Sequence, residues 1–329
     1  MRKILHIGLG KCGTTFFQKN VMPILEKADI ASTNNLKRSY ILKSIENSMY
    51  TSEEVDCADL WESSKKNNNI LLSHEGLVGG DPGIWEDYFN CLVKVFPPDI
   101  EIVLTIRDPL SWMRSVYLHN IQMGNIISPF EFFVKDDITF NSFRNIKFPL
   151  TFQYTKLDFK YLFDLYNSYF YKVHILPMNL LFCPKRLNEA LEMETSLSEY
   201  QIRVIKDSKK DLFSKHPTNK SYGKLAVELT FFREKLLNAF QLKSINKIDQ
   251  LFLINSEKHF LNKSNKFKDM NFQDKIFKTL NYLYGNYRWR KIMQCYLPIF
   301  FKQKEYYFSD DVLELLDIDV INKSAKLFN

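Results

Sequence analysis

Four short apolar runs, each followed by polar residues, constrain the fold of this chain more than any other feature of its sequence. They cover Ile4 to Ile7, Ile70 to Leu72, Ile100 to Ile106 and Val173 to Leu176. Runs of this length that are rich in Ile, Leu and Val are typical of buried parallel strands. The longer mixed segments between them favour crossover helices. The first part of the chain therefore predicts an α/β fold with a central, mainly parallel sheet flanked by helices.

The chain changes character after about residue 200. The segments Lys224 to Phe240 and Phe272 to Tyr284 carry apolar and aromatic residues at helical spacing, and the polar connection Ser256 to Asp269 separates them. A length of 329 residues fits one or two domains. We expect a single domain over residues 1–329, in which residues 1–200 form an α/β core and residues 201–329 form a mostly helical part.

Composition excludes several classes of protein. A hydrophobic content of 45% argues against a disordered chain, and a net charge of 45 − 38 = +7 favours an anionic ligand. The sequence shows no helix-turn-helix punctuation or zinc spacing, so no nucleic-acid partner is expected. No apolar stretch approaches the roughly 20 residues that span a bilayer.

The amino-terminal residues and the cysteines indicate the cellular compartment in which the protein is expected. His6 and Lys11 interrupt the apolar run that a secretory signal needs, and the five cysteines are too widely spaced for a disulfide framework or a zinc site. We therefore expect a cytoplasmic protein without a bound metal.

A glycine-rich turn follows the first apolar run. It reads Gly8-Leu9-Gly10-Lys11-Cys12-Gly13-Thr14-Thr15, and a helix is expected from Phe16 to about Pro23. A turn of this kind between a strand and a helix surrounds an anion with backbone N–H groups at the positive end of the helix. The segment therefore predicts a phosphate-binding turn. A purely structural turn with a solvated Lys11 is the alternative.

The spacing of the glycines and the lysine in this turn distinguishes between two known kinds of nucleotide-binding loop. Gly8 and Gly13 are spaced as in nucleotide triphosphatases, but Thr14 occupies the position of their lysine, and the lysine stands upstream at Lys11. The dinucleotide-binding fingerprint fits less well, because Asp29 comes too early for its acidic residue. The spacing favours a P-loop-like three-layer fold, while the displaced lysine argues against ATP as the ligand.

A second anion-binding segment follows the central run. Ile100 to Ile106 ends in Arg107-Asp108-Pro109, and a helix is expected to begin near Pro109. Arg107 and Ser115, one or two helical turns later, can face the same crevice and offer a guanidinium and a hydroxyl to a second phosphate. Two alternatives stay open: Asp108 as a carboxylate for magnesium, or Arg107 and Asp108 as a local ion pair.

Together these segments resemble the donor-binding motifs of sulfotransferases that use 3′-phosphoadenosine 5′-phosphosulfate (PAPS), in particular bacterial carbohydrate-type enzymes. Lys11 to Thr15 resembles their 5′-phosphosulfate loop, and Arg107 to Pro109 with Ser115 and Tyr117 resembles their 3′-phosphate motif. Weaker similarity occurs at Val173 to Pro177, Asn219 to Leu229 and Asn322 to Leu327. The resemblance covers roughly a third of the chain. Cys12 and Phe16 depart from the family pattern: a small hydroxyl or other small residue is more usual at the first position, and some members have tryptophan at the second.

The resemblance implies transfer of a sulfuryl group from PAPS to an acceptor hydroxyl, with a carbohydrate as the expected acceptor and no metal. Lys11 would stabilise charge on the leaving oxygen. The residues implied to bind the donor are Lys11, Cys12, Gly13, Thr14, Thr15, Arg107 and Ser115. Further donor contacts are considered at Lys220, Ser221 and Gly223.

An acceptor hydroxyl needs a base, and the run Ile70 to Leu72 leads into Ser73-His74-Glu75-Gly76. Glu75 is the preferred base, since related enzymes often have a glutamate here, and His74 is the second choice. Side chains alternate along a strand, so only one of the two is expected to face the crevice. The alternative function is that of a P-loop nucleotide-dependent phosphotransferase.

Overall fold

The structure is a computed structural model that describes residues 2–27, 31–35, 61, 69–135, 151–182, 187, 221–239, 286–302 and 304–325. The strands in these ranges are β1 (Arg2–Gly8), β2 (Ser32–Asn35), β3 (Asn69–His74), β4 (Glu101–Ile106), β5 (Phe133–Val134), β6 (Phe152–Gln153) and β7 (Lys172–Pro177). The predicted strands are all present, and β3 continues two residues beyond Leu72 to His74.

The α-helices flank these strands and dominate the second half of the described chain. They are α1 (Thr14–Phe16), α2 (Met22–Lys27), α3 (Trp85–Val95), α4 (Pro109–Met123), α5 (Pro129–Phe132), α6 (Phe159–Asn167), α7 (Lys224–Ala239), α8 (Asn286–Lys291), α9 (Leu297–Phe300), α10 (Asp310–Leu315) and α11 (Ile318–Ala325). π-Helical turns at Phe17–Val21 and Ile292–Tyr296 join α1 to α2 and α8 to α9. The short 3₁₀ helices are Pro82–Ile84, Tyr154–Lys156 and Met178–Phe182.

The central sheet has five parallel strands in the order β2-β3-β1-β4-β7. The expected α/β arrangement, a mainly parallel sheet flanked by helices, is confirmed. Because β1 lies between β3 and β4, the turn that follows β1 lies between the segments that follow β3 and β4. The carboxyl ends of parallel strands meet at one edge, which is where α/β sheets bind ligands.

The helical run Thr14–Lys27 covers one face of this sheet. Its side chains Phe16, Phe17, Val21 and Leu25 are buried with Ile4, Leu71, Val103 and Leu176, which come from β1, β3, β4 and β7. Burial of large apolar side chains is the main force that holds such a helix against a sheet. The run is thereby held in place immediately after the glycine turn.

The chain divides into two compact units. Unit 1 comprises Met1–Val116, Phe133–Lys215 and Leu313–Asn329, and unit 2 comprises Tyr117–Phe132 and His216–Val312. The carboxyl-terminal helix α11 belongs to unit 1, where the Ser324 hydroxyl donates to the Leu157 carbonyl at 2.6 Å. The unit boundaries therefore differ from a simple division at residue 200, and the expected single domain stays a prediction.

The helical second half is described in part. The predicted helix from Lys224 to Phe240 is observed as α7, whereas Phe272 to Tyr284, the connection Ser256 to Asp269, and Lys220 lie outside the described residues. None of the described helices combines the length and the apolar character that a bilayer crossing requires.

Candidate functional site

The glycine turn joins β1 to α1 through two residues with left-handed backbone conformations. Lys11 has φ of 71° and Gly13 has φ of 83°, and the Gly13 carbonyl accepts from the N–H groups of Phe16 and Phe17. Gly13 is thus the residue that begins the helix. The first N–H groups of a helix have no partner within it, so those of Thr14 and Thr15 are placed to bind an anion.

Glycine is required by the surroundings at two positions of the turn. A Cβ at Gly8 would collide with the hydroxyl of Thr105 and the methyl group of Thr14. A Cβ at Gly13 would lie 2.7 Å from Cδ1 of Leu181, at a φ that side chains rarely adopt. The backbone of the turn can approach β4 and its neighbours this closely only because these side chains are absent.

Trp112 of α4 ties the turn to the rest of unit 1. Its indole Nε1–H donates to the Gly10 carbonyl at 2.8 Å. The Trp112 ring is fully buried among aromatic rings, with centroids 6.2 Å from Trp85, 5.8 Å from Phe159 and 5.2 Å from Phe152. Sequence reasoning missed this role, although an aromatic donor just after the arginine motif is a signal for it.

Arg107 lies directly beside the glycine turn. Its guanidinium Nη1 donates to the Lys11 carbonyl at 3.4 Å, across 96 residues of sequence. The structure therefore brings together the two segments that the sequence predicts as anion sites. Arg107 is also close enough to Cys12 to act electrostatically on its thiol.

Cys12 takes part in the turn through its backbone. Its N–H donates to the Leu9 carbonyl at 3.1 Å, and its side chain is fully buried. Burial raises the pKa of the thiol, and the nearby Arg107 only partly opposes this. The Cys12 N–H is occupied by the Leu9 carbonyl and the thiol is buried, so the expectation that Cys12 binds the donor stays a prediction that this geometry does not support.

Asp108 begins helix α4. Its carboxylate is exposed and accepts from the Ser111 N–H at 2.8 Å, and its carbonyl accepts from the Trp112 N–H. This is the usual arrangement of an N-cap aspartate. Among the described residues, no group of three or more His, Cys, Asp or Glu side chains could hold a metal ion.

Ser115 and Tyr117 lie further along α4. Ser115 is 5% exposed and lies less than two turns after Pro109. Tyr117 is buried, and its hydroxyl donates to the Ile127 carbonyl at 3.0 Å within unit 2. That bond assigns Tyr117 a structural role. Of the weaker candidates, Ser221 is exposed, and Gly223 forms an antiparallel bridge with Glu305 in the same unit.

Glu75 contacts the glycine turn. The Thr14 hydroxyl donates to Glu75 Oε2 at 2.6 Å, and Thr14 itself is 2% exposed. The preferred base is therefore next to the expected phosphate-binding residues. The hydrogen bond from the Thr14 hydroxyl orients the Glu75 carboxylate. Because this hydroxyl is already engaged, Thr14 would contact an anion mainly through its backbone N–H.

His74 is engaged elsewhere. It lies on β3, and alternation along the strand places it on the face opposite Ser73. Its ring Nδ1 accepts from the Gly76 N–H at 3.0 Å, so in the neutral ring the other nitrogen carries the proton. The geometry favours Glu75 over His74 as the group that can accept a proton at this edge.

His6 is a buried residue of the site that sequence reasoning missed. Its Nδ1 is 2.7 Å from the Ser73 hydroxyl, which also accepts from Gln18 at 3.1 Å, and its ring stacks on Phe17 at 4.0 Å. Burial lowers the pKa of His6 to about 3, and the charge of Glu75 opposes this only in part. The ring is therefore neutral. The sequence signal for this buried residue was a histidine within an otherwise apolar strand.

Two buried polar atoms near the turn lack a hydrogen-bond partner in the described part of the chain. They are Nε2 of His6 and Oγ1 of Thr105, the hydroxyl against which Gly8 packs. Unsatisfied polar atoms are costly in a protein interior and often mark sites under functional constraint.

Comparison with known proteins adds no assignment. A scan against protein-family models found no match to this chain, and a search of curated proteins found none either. The resemblance described above therefore stays a prediction that depends on the site residues themselves.

Proposed function

We propose that this protein is a sulfotransferase that moves a sulfuryl group from PAPS to an acceptor hydroxyl, with a carbohydrate as the acceptor. The observation that carries the proposal is the 3.4 Å contact between Arg107 Nη1 and the Lys11 carbonyl. It supports two anion sites at one edge of the sheet. A nucleotide with phosphate groups at both its 5′ and 3′ positions matches that pair better than ATP does.

The residues at this edge fit such a donor. The N–H groups of Thr14 and Thr15 suit the 5′-phosphate, and the planar guanidinium of Arg107 suits a 3′-phosphate. The absence of a Cβ at Gly8 and Gly13 lets the turn pack closely against Thr105 and Leu181, which fixes the position of the backbone that would contact the donor. PAPS would supply an activated sulfuryl group whose leaving group is the 5′-phosphate.

The chain itself would provide alignment, charge stabilisation and a base. The Lys11 ammonium would stabilise negative charge on the leaving phosphate oxygen. Glu75, held by Thr14, would accept the proton of the acceptor hydroxyl as the acceptor oxygen bonds to sulfur and the bond from sulfur to the phosphate oxygen breaks. Trp112 would keep the turn rigid through Gly10.

The phosphotransferase alternative has less support from the geometry. The Asp108 carboxylate, which would have to bind magnesium, caps helix α4 instead. The lysine position of a triphosphatase loop is occupied by Thr14, whose hydroxyl donates to Glu75. A kinase would need both of these positions for its nucleotide.

A ligand comparison tests the proposal. Thermal unfolding of the purified chain is measured with PAPS, with adenosine 3′,5′-bisphosphate and with ATP plus magnesium at equal concentrations. Ligands that bind only the folded state raise the unfolding temperature by mass action, so the first two should stabilise the protein more than ATP. Stabilisation by ATP with magnesium, without a response to the bisphosphate, would reject the sulfotransferase and favour the kinase.

Two variants separate donor binding from chemistry. Arg107→Ala should weaken binding of the bisphosphate about 10- to 100-fold, because a charged hydrogen bond contributes about 1.5–3 kcal/mol. Lys11→Ala should lower the rate of sulfuryl transfer about 10²- to 10³-fold with a smaller effect on binding. Lys19→Ala, an exposed change on the same helical run, is the control and should leave both unchanged. Near-normal turnover of Lys11→Ala would disprove the assigned role.

A further inference from the structure

Unit 2 contains a helical run with two opposite faces. The run Asn286–Phe300 buries Met293, Gln294 and Leu297. Its other side exposes Ile292 by 42%, Tyr296 by 48%, Ile299 by 71% and Phe300 by 75%. These four residues recur at intervals of four, three and one, as residues on a single helical face do. We refer to Ile292, Tyr296, Ile299 and Phe300 as the apolar face.

A neighbouring helix also exposes apolar side chains. On α7, Phe232 is 59% exposed and Leu236 is 43% exposed, one turn apart. The two helices pack together, since the Trp289 indole donates to the Thr230 hydroxyl at 2.9 Å and Arg233 lies 5.3 Å from the Trp289 ring. Large apolar patches are rare on proteins that have no partner and usually mark an interaction site.

The helical run that carries the apolar face has charge of one sign along its sequence, up to the exposed Glu305 that follows it. Residues 286–304 include five basic residues, Arg288, Arg290, Lys291, Lys302 and Lys304, and no acidic residue. The lysines at both ends of the apolar face, Lys291 and Lys302, are exposed, as is Lys304. A two-fold dimer through this face would place two such basic segments against each other, which repulsion disfavours.

We infer that the apolar face of unit 2 binds the surface of an anionic lipid bilayer. Isoleucine, phenylalanine and tyrosine side chains on one helical face can enter the boundary between headgroups and acyl chains. Lysines beside them can reach the lipid phosphates, which the charge of this segment complements. The helical run would lie along the surface and would not cross it. This inference does not depend on the proposed sulfotransferase activity.

Vesicle binding tests the inference. The full chain is sedimented with vesicles of phosphatidylcholine alone and with vesicles that also contain phosphatidylglycerol. Binding is expected only to the second kind and should weaken as salt concentration rises, because the attraction to anionic lipid is screened. Equal binding to both kinds, or no binding to either, would overturn the inference.

Two pairs of variants separate the apolar and the electrostatic contributions. Ile299→Ser with Phe300→Ser should lower the partition coefficient at least about tenfold, since two exposed apolar side chains can no longer be buried in lipid. Lys291→Gln with Lys302→Gln should lower it about 30-fold, at about fivefold for each lysine. The matched controls are Tyr171→Ser, which removes a side chain 74% exposed in unit 1, and Lys156→Gln, also exposed there. Both controls should bind as the parent does.

A different occupant of the apolar face would give a different result. If the parent chain forms dimers in solution and Ile299→Ser with Phe300→Ser makes it monomeric without altering vesicle binding, the face binds a second copy and the inference is wrong. Circular dichroism spectra of all variants should match the parent, because every substituted side chain is exposed. Loss of vesicle binding in the two control variants as well would also contradict the assignment to this face.

Discussion

The two edges of the central sheet in unit 1 use charged residues in opposite ways. At the amino edge, Glu101 accepts from Arg2 through two hydrogen bonds of 2.7 and 2.6 Å and lies 3.1 Å from His174 Nε2. At the carboxyl edge, Arg107 and Lys11 meet around a backbone turn. The first arrangement neutralises charge inside the protein, whereas the second places the Arg107 guanidinium against the backbone of the turn that begins a helix.

The difference follows from chain direction. In a parallel sheet, each strand leads into its helix at the carboxyl edge, so the positive ends of helices collect there. The amino edge receives helix carboxyl ends and has no such preference for anions. A buried carboxylate is therefore paired with charged residues at the amino edge for stability, while Glu75 at the carboxyl edge accepts a hydrogen bond from the Thr14 hydroxyl.

Replacing a carboxylate by an amide at each edge, with Glu75→Gln and Glu101→Gln, tests this comparison. The largest effect is expected on the transfer rate of Glu75→Gln. Without a group that accepts the acceptor proton, the rate of sulfuryl transfer should fall about 10²- to 10⁴-fold. The amide can still accept from Thr14, so the unfolding temperature should stay close to that of the parent. The measurement is the pH–rate profile of the variant with PAPS and an acceptor.

A parent-like profile would reject Glu75 as the base. Glu75→Asp is the matched control, because it keeps the carboxylate and should retain the shape of the profile at a lower rate. His74→Gln should change the rate less than Glu75→Gln does, since His74 Nδ1 is already occupied by the Gly76 N–H.

Glu101→Gln at the amino edge should affect stability instead of transfer. Burial alone would raise the pKa of Glu101, but hydrogen bonds and charge from Arg2 and His174 outweigh it and hold the pKa below its ordinary value of 4.5. A lowered pKa stabilises the folded state above the ordinary value, and that stability is lost as pH falls through the lowered pKa. At neutral pH the variant should lose about 2 kcal/mol of unfolding free energy.

Urea unfolding over a pH series measures this effect. The difference between parent and variant should be full at neutral pH and should shrink as the solution is acidified below 4.5. Asp99→Asn is the control on the same edge, because the Lys3–Asp99 pair of 2.8 Å is exposed and should contribute less than about 1 kcal/mol. A difference that grows on acidification would contradict the paired-carboxylate interpretation.

The smallest effect is expected for Trp112→Phe, which tests whether the carboxyl edge depends on a rigid turn. The variant keeps the aromatic packing but loses the hydrogen bond to the Gly10 carbonyl, so it should lose about 1 kcal/mol of unfolding free energy. Donor binding should weaken by a similar factor. Trp85→Phe is the control, since the buried Trp85 Nε1 has no hydrogen-bond partner within the described ranges. Equal donor affinities in both variants would show that the hydrogen bond does not position the turn.

Most of the sheet was predictable, because strand runs and glycine turns are local patterns. The runs that became β1, β3, β4 and β7 are rich in Ile, Leu and Val, as strands buried on both faces are. The strand β2 was missed. Its sequence, Ser-Thr-Asn-Asn, is polar and pairs only with β3 at the edge of the sheet, so it lacks the apolar signal.

The site was predictable to a smaller extent. Lys11, Arg107 and Glu75 follow strand ends and could be named from the sequence, whereas the contact between Glu75 and Thr14 could not. Trp112 and the buried His6 were missed. Their roles depend on contacts with Gly10 and Ser73 that lie 102 and 67 residues away along the chain.

The sequence by itself determined which segments become the main strands, where the helix after β4 begins, and which residues carry the positive charge. These properties depend on short-range periodicity, glycine conformation and side-chain chemistry. The helical run after β1 begins at Thr14, two residues before the expected Phe16, and continues past Pro23 to Lys27. Only the tertiary structure decided that the turn after β1 lies between the ends of β3 and β4, that the Cys12 thiol is buried, and that Arg107 reaches the Lys11 carbonyl. Strand order results from the packing of surfaces far apart in the chain, and no local pattern encodes it.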